Sequence, residues 1–305
     1  MTTAIAADGI RKRYGDVQAV DGVSITVESG EFYGLLGPNG AGKTTTLEIL
    51  EGIREPDEGR VELLGLAPWP RNPKLLPRIG VQFQASAFFD KLTARETIRT
   101  FASFYGVGAR RADAMLERVG LTDSAAVLTD RMSGGQAQRL SIACALAHDP
   151  ELVFLDEPTT GLDPQARRNL WDLLRDINAE GRTVVLTTHY LDEAEILCDR
   201  VSVMDHGRVL RTGAPAALVR ELDDTVRISV ESGLLGAEEA GELFTAAGAE
   251  ITALEDNGVT LSLSTRAPAP VLSALAERGA LRGLEVRGAT LEDVFLHLTG
   301  REYRA

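Results

Sequence analysis

Gly37-Pro38-Asn39-Gly40-Ala41-Gly42-Lys43-Thr44 is the stretch whose reading decides the fold. It follows a compact apolar run, Phe32-Tyr33-Gly34-Leu35-Leu36, and leads into Thr44-Thr45-Thr46-Leu47-Glu48-Ile49-Leu50, so strand, glycine-rich loop and helix come in succession. The spacing matches the loop in which glycines let backbone N–H groups curl around phosphates at a helix N-terminus. There Lys43 reaches the β and γ phosphates of a nucleotide. Thr44 places its hydroxyl on Mg²⁺, a hard cation that seeks oxygen ligands and retains water. The expected phosphate-binding set is Gly37, Pro38, Asn39, Gly40, Ala41, Gly42, Lys43, Thr44 and Thr45. Lysine is scarce, with only Lys12, Lys43, Lys74 and Lys91 in the chain, which makes the position of Lys43 informative.

Working outward, the first sixty residues alternate apolar and polar side chains in short runs such as Val23-Ser24-Ile25-Thr26-Val27 and Val61-Glu62-Leu63, the pattern of antiparallel strands. Two buried-strand runs follow the loop, Leu152-Val153-Phe154-Leu155 and Thr183-Val184-Val185-Leu186, with a helix between them whose apolar face is Leu170, Leu173, Leu174 and Ile177. Such alternation implies a parallel sheet covered by helices. Residues 93–148 carry helical spacing without strands, over Thr93 to Tyr105, Arg110 to Val119 and Ser133 to Ala147, and form a helical insertion. After Gly213 and Pro215 the pattern restarts as strand, helix, strand, an Asp256-Asn257-Gly258 hairpin turn, strand, helix (Pro270 to Arg278) and strand (Leu281 to Val286). That is a split βαββαβ order, which hosts many unrelated functions.

Asp156 and Glu157 end the run Leu152 to Leu155, where open α/β sheets place their ligands. An Asp on a strand neighbouring the phosphate loop holds Mg²⁺ through water, and the next carboxylate orients or deprotonates the attacking water. Taken alone, Glu157-Pro158 reads as the start of a turn capped by Asp156. Ser133-Gly134-Gly135-Gln136 precedes the helical run Leu140 to Ala147 and makes a second phosphate-ready helix N-terminus, alone no more than a good cap.

Composition narrows the function classes. A formal net charge of -13 argues against a nucleic-acid binder, whose affinity comes from Lys and Arg. No stretch approaches the roughly 18 to 20 apolar residues needed to cross a bilayer. The N-terminus lacks a basic segment followed by an apolar core, so a cytoplasmic protein is expected. Cys144 and Cys198 stand far apart, outside any metal-ligand spacing, and read as buried thiols.

Met132-Ser133-Gly134-Gly135-Gln136 resembles the ABC signature, with methionine for the commoner leucine, and lies upstream of the carboxylate strand as in that family. The resemblance covers residues 1 to about 215 and implies the remaining site. Tyr14 resembles the aromatic that stacks on adenine, although a lone tyrosine in a strand more often packs. Gln84, after Ile79-Gly80-Val81-Gln82-Phe83, resembles the glutamine that senses Mg²⁺ and the attacking water, with Gln82 a lesser candidate. Gly161-Leu162-Asp163 resembles the D-loop, where Asp163 before Pro164 is also an N-cap. His189 resembles the switch histidine on the γ phosphate. Residues Ala289 to Leu296, then Leu298-Thr299-Gly300, look like the ending of daunorubicin-resistance-type export ATPases, although Thr290 and Asp293 also make a plain capping box.

The fold implied is a P-loop NTPase of the ABC type, α/β with an antiparallel β subdomain and a helical subdomain (93–148), over 1–221, plus a small α+β domain at 222–305. The implied function is ATP hydrolysis with Mg²⁺, by a homodimer or a paired ATPase subunit, on the cytoplasmic face of the membrane. It drives a separate integral membrane permease to export a hydrophobic, drug- or lipid-like molecule. The competing class is an ABC ATPase acting on ribosome or DNA, which usually shows tandem cassettes, coiled-coil insertions or a basic surface, none evident here. A purely regulatory nucleotide binder is a second competitor, against which Glu157 retains what hydrolysis requires.

Overall fold

A computed structural model of the chain describes residues 2–83, 88–89, 91–222, 226–233 and 235–299. The chain opens with β1 (Thr3–Tyr14) and β2 (Val17–Glu28), passes through β3 (Phe32–Leu36) and α1 (Lys43–Leu50), and returns as β4 (Glu58–Leu63). β1, β2 and β4 make an antiparallel sheet in the order β2-β1-β4. The two-residue alternation puts Val20, Val23, Ile25 and Val27 of β2 inward, in one core with Leu47, Leu50 and Phe154.

The second sheet gathers β3, β5 (Ile79–Gln82), β6 (Leu152–Asp156), β7 (Thr183–Thr188), β8 (Arg200–Asp205) and β9 (Arg208–Gly213) in the order β5-β6-β7-β3-β8-β9. All its pairings are parallel except the β8–β9 hairpin. Every residue of β3, β6 and β7 is buried, which is why these strands read as continuous apolar runs. One expectation is corrected here. The Asp156 strand does not neighbour the phosphate-loop strand, because β7 lies between β6 and β3.

Helices α2 (Ala94–Phe104), α3 (Ala109–Arg118) and α4 (Gly134–Leu146) form the insertion between β5 and β6, while α5 (Pro164–Ala179) and α6 (Leu191–Leu197) flank β7. Capping sets their starts. Thr93 with Glu96 and Ser133 with Gln136 make reciprocal capping boxes, and Asp163 accepts from the amides of Gln165 and Ala166. Each such cap contributes about 1 kcal/mol. On α5 the buried side chains are Leu170, Trp171, Leu174 and Ile177, with Leu173 only half-buried. Tryptophan, and not the expected leucine, completes that stripe. No helix among the described residues is long and apolar enough to cross a membrane.

The chain divides into two compact units between Pro215 and Ala216. Most of α7 (Pro215–Glu221) thus falls in the second unit, where the sequence reading puts it with the first. In the second unit β10 (Val226–Glu231), α8 (Ala237–Ala246), β11 (Ile251–Asp256), β12 (Thr260–Thr265), α9 (Pro268–Glu277), β13 (Glu285–Arg287) and α10 (Leu291–Thr299) follow in turn. The sheet is antiparallel in the order β11-β12-β10-β13, and Ile228, Leu261 and Leu263 face Phe244, Val271 and Leu275 in its core. Asn257 Oδ1 accepts from the amides of Val259 (3.0 Å) and Thr260 (2.8 Å) and closes the hairpin. The last strand is shorter than expected, because Gly283 at φ +68° and the Leu284 N–H to Leu281 O bond (3.1 Å) make a turn where a strand is read from the sequence.

Candidate functional site

The loop 37–42 leaves the C-terminal end of β3 and enters α1 with its backbone pressed against two strands. A Cβ on Gly42, at φ +96°, would lie 2.3 Å from Ala19 O, and one on Gly37 would lie 2.3 Å from Met204 O. Only glycine fits at either point. Helix α1 has no side-chain cap, so its first-turn amides have no intrahelical acceptor and point their positive ends at whatever enters the loop. Lys43 is almost fully buried, and its Nζ donates to Gly37 O (2.8 Å) and Pro38 O (3.2 Å). Burial pushes its pKa below the ordinary lysine value, opposed by Glu157, whose Oε1 stands 3.5 Å from Nζ. Helix dipole and ammonium together make an anion cradle.

Two carboxylates face this cradle from the end of β6. Asp156 is buried and accepts from Thr44 Oγ1 at 3.4 Å. Desolvation pushes its pKa up, while the hydrogen bond from the Thr187 hydroxyl is the strongest opposing influence. Glu157, also buried, adopts φ +47°, a left-handed backbone that costs a non-glycine residue on the order of 1–3 kcal/mol. Its amide donates to both Thr187 O (3.2 Å) and Thr187 Oγ1 (3.0 Å). Its side-chain Oε2 accepts from Thr160 Oγ1 at 3.1 Å. His189 Nδ1 also lies 3.1 Å from that oxygen, within ion-pair distance when the ring is protonated but without the alignment of a hydrogen bond.

Lys43, Thr44, Asp156, Glu157 and His189 are thus brought together from three strand ends. An anion in the cradle meets a carboxylate placed to take a proton from a water. The hydroxyl of Thr44 and carboxylate of Asp156 form a hard-oxygen pair that fits Mg²⁺. Among the described residues no cluster of three or more His, Cys, Asp or Glu could cage a metal alone, so a Mg²⁺ ion held here would need phosphate oxygens and water in its other positions.

The remaining candidates lie apart from this group. Gly135 and Asp163 line a separate hollow of about 230 Å³ with Arg139, Leu162 and Ala166, and no residue of the phosphate loop borders it. Ser133 and Gln136 engage each other as the start of α4, Ser133 Oγ accepting from Gln136 N (3.3 Å) and Gln136 Oε1 from Ser133 N (2.9 Å). Gly134 is open to solvent, with nothing within 4 Å of a built Cβ. Tyr14 ends β1 half-exposed, with the Arg54 guanidinium 5.2 Å from its ring centroid. Gln84 lies outside the described residues, and Gln82, the lesser candidate, is buried with its Oε1 unpartnered.

Two residues escaped the sequence reading. Thr187 ends a run of apolar strand residues, where the pair Thr187-Thr188 just before His189 is the available signal. Glu51 lines a groove of about 630 Å³ with Trp69, Phe83, Phe88, Phe101 and Tyr105. Desolvation, with the charges of Asp156 and Glu48, pushes its carboxyl pKa up to about 8. Phe89, beside the groove, is half-exposed and stands 6.1 Å from the Phe101 ring.

Comparisons with known proteins follow the same division. The family described as ABC transporter matches residues 20–160, and the C-terminal domain of nodulation factor export protein NodI matches residues 242–300. The chain is 41% identical over 303 residues to Nod factor export ATP-binding protein I of Rhizobium sp. (strain N33), covering 98% of each. It is 41% identical over 318 residues to daunorubicin resistance ATP-binding protein DrrA3 of Streptomyces coeruleorubidus, covering 99% of this chain and 98% of the other. Among solved structures, the dimeric post-hydrolysis state of the ATP-binding cassette MJ0796 bound to ADP and Pi superposes with a TM-score of 0.64 at 29% identity, over 69% of this chain and 98% of that one. The ADP conformation of the cassette MJ1267 gives 0.64 at 26%, over 70% and 92%.

Proposed function

Since the chain belongs to the ABC transporter ATP-binding subunits, ATPases coupled to transport, we propose that it hydrolyses ATP at the Lys43 loop to power export through a separate integral membrane permease. The observation that carries the reading is the meeting of Lys43, Asp156 and His189 around the Glu157 carboxylate. Lys43 and the α1 amides hold the β and γ phosphates, and Glu157 takes the proton of the attacking water. His189 contacts the γ phosphate, and Gln84 serves as the sensor of the attacking water. Thr44 and Asp156 hold Mg²⁺, which when bound neutralises charge on the phosphates. Tyr14, half-exposed at the end of β1, stacks on adenine.

Ser133, Gly134, Gly135, Gln136 and Asp163 complete the site of a second subunit. The hollow lined by Gly135 and Asp163 is bounded by no phosphate-loop residue of the same chain, and one structural relative is a dimer bound to ADP and Pi. The substrate class is hydrophobic and drug- or lipid-like, supported by relatives named for Nod factor export and daunorubicin resistance. The groove beneath Phe88 and Phe89 receives a helix of the permease, which holds the subunit at the cytoplasmic face of the membrane. Residues 222–305 form an accessory domain. Purified chain should turn over ATP, and a membrane subunit recovered by cross-linking should change that rate when reconstituted. No turnover under any condition would overturn the hydrolytic reading, and a rate indifferent to every recovered membrane subunit would overturn the coupling.

A further inference from the structure

We propose that Thr187 is a positioning residue for hydrolysis, its single hydroxyl tying the Asp156 carboxylate to the Glu157 amide and so holding the proton acceptor in its left-handed backbone conformation. β7 runs between the Asp156 strand and the phosphate-loop strand, and its register sets Thr187 beside Asp156. The hydroxyl is sealed from solvent, donates to Asp156 Oδ1 and accepts the Glu157 N–H at 3.0 Å. A hydroxyl has one donor and can accept in return, so one group satisfies both neighbours. The side-chain oxygens of Glu157 meet Lys43 and Thr160 and lie beside His189, whereas two of the contacts that bear on its unusual φ come from Thr187. A left-handed non-glycine residue persists only where its surroundings over-determine it. The backbone carbonyl bond would survive any side-chain change at 187, so the hydroxyl is the removable half of the clamp.

The inference rests on the proposed hydrolysis at this site, and Thr187→Val and Thr187→Ser separate the two. Valine keeps the branched shape in the strand and removes only the hydroxyl, and serine keeps the hydroxyl. In the full chain, Thr187→Val should lower kcat by about tenfold or more while the ATP KM, directly measured nucleotide affinity and melting temperature stay near wild type, and Thr187→Ser should stay within about threefold of wild-type kcat. Should valine unfold the chain, Thr187→Cys, with its weak S–H donor, takes its place with the same expected loss. The inference is overturned by wild-type kcat in the valine or cysteine variant, by serine falling as far as valine, or by affinity and melting temperature falling in step with kcat. The wild-type rate keeps the outcomes apart, since an inactive wild type removes the hydrolytic reading, whereas an active wild type beside an equally active Thr187→Val removes the clamp alone.

Discussion

Lys43 Nζ lies 3.5 Å from Glu157 Oε1, and both side chains are almost completely buried. The proposed phosphate-binding ammonium and the proposed proton acceptor therefore share one small, buried space. Substitutions at the two ends of this contact separate their roles. Glu157→Gln keeps size and polarity but cannot accept a proton, so turnover should fall by roughly 10²- to 10⁴-fold. Nucleotide affinity, measured with a fluorescent ATP analogue, should hold. Full turnover by this variant would sink the assignment.

Lys43→Ala should instead weaken phosphate binding and hydrolysis together, because a charge-assisted contact to the β and γ phosphates disappears. It also leaves the Glu157 carboxylate beside an empty space. Titration calorimetry with ATP, run beside the turnover assay, checks both losses. Unchanged affinity and turnover would refute the role.

Glu51 gives a prediction about stability and pH. Its folded-state pKa, pushed up to about 8 from the ordinary 4.5, means that the folded chain keeps this proton while the unfolded chain releases it. The contribution of the group is fully present below pH 4.5 and is lost progressively as pH rises to about 8. Glu51→Gln removes this dependence. The melting temperature of the variant relative to wild type should rise between those two pH values and level off above them, with a span on the order of a few kcal/mol in stability. Parallel melting curves across that range would show that Glu51 ionises normally.

Phe88 lines the groove of Glu51, and Phe89 is half-exposed at its edge against Phe101. Replacing both with serine should leave ATP hydrolysis by the isolated chain intact and uncouple it from transport in the reconstituted complex. Loss of solubility or of folding would support a role in the core of the helical insertion.

The composite site is testable by mixing two inactive proteins. If the loop of Lys43 is closed by another chain's Ser133 segment, a heterodimer of Lys43→Ala and Ser133→Arg subunits holds one doubly damaged site and one intact site. Some ATPase activity should return once subunit exchange is verified. A site complete within one chain would give no recovery, provided a heterodimer carrying one wild-type subunit is active.

Local chemistry makes much of this protein legible in its sequence. The Gly37 to Thr44 loop, the alternation of β2, the apolar runs of β3, β6 and β7 and the capping residues Thr93, Ser133 and Asp163 act within a turn or a strand, so their spacing alone determines the element. Local pattern likewise marks Lys43 and the paired carboxylates Asp156 and Glu157 as candidates. Tertiary structure decided what depends on neighbours distant in the chain. That β7 intervenes between β6 and β3 follows from strand pairing, which no single strand's pattern encodes. It alone gives Thr187 a place between the Asp156 carboxylate and the Glu157 amide. Trp171 in place of Leu173 in the α5 stripe, and the turn at Gly283 where a strand was expected, record packing and backbone choices made against the rest of the unit. The raised pKa of Glu51 and the left-handed backbone of Glu157 arise from burial and from converging partners. Desolvation and over-determined strain exist only once the chain has closed around them.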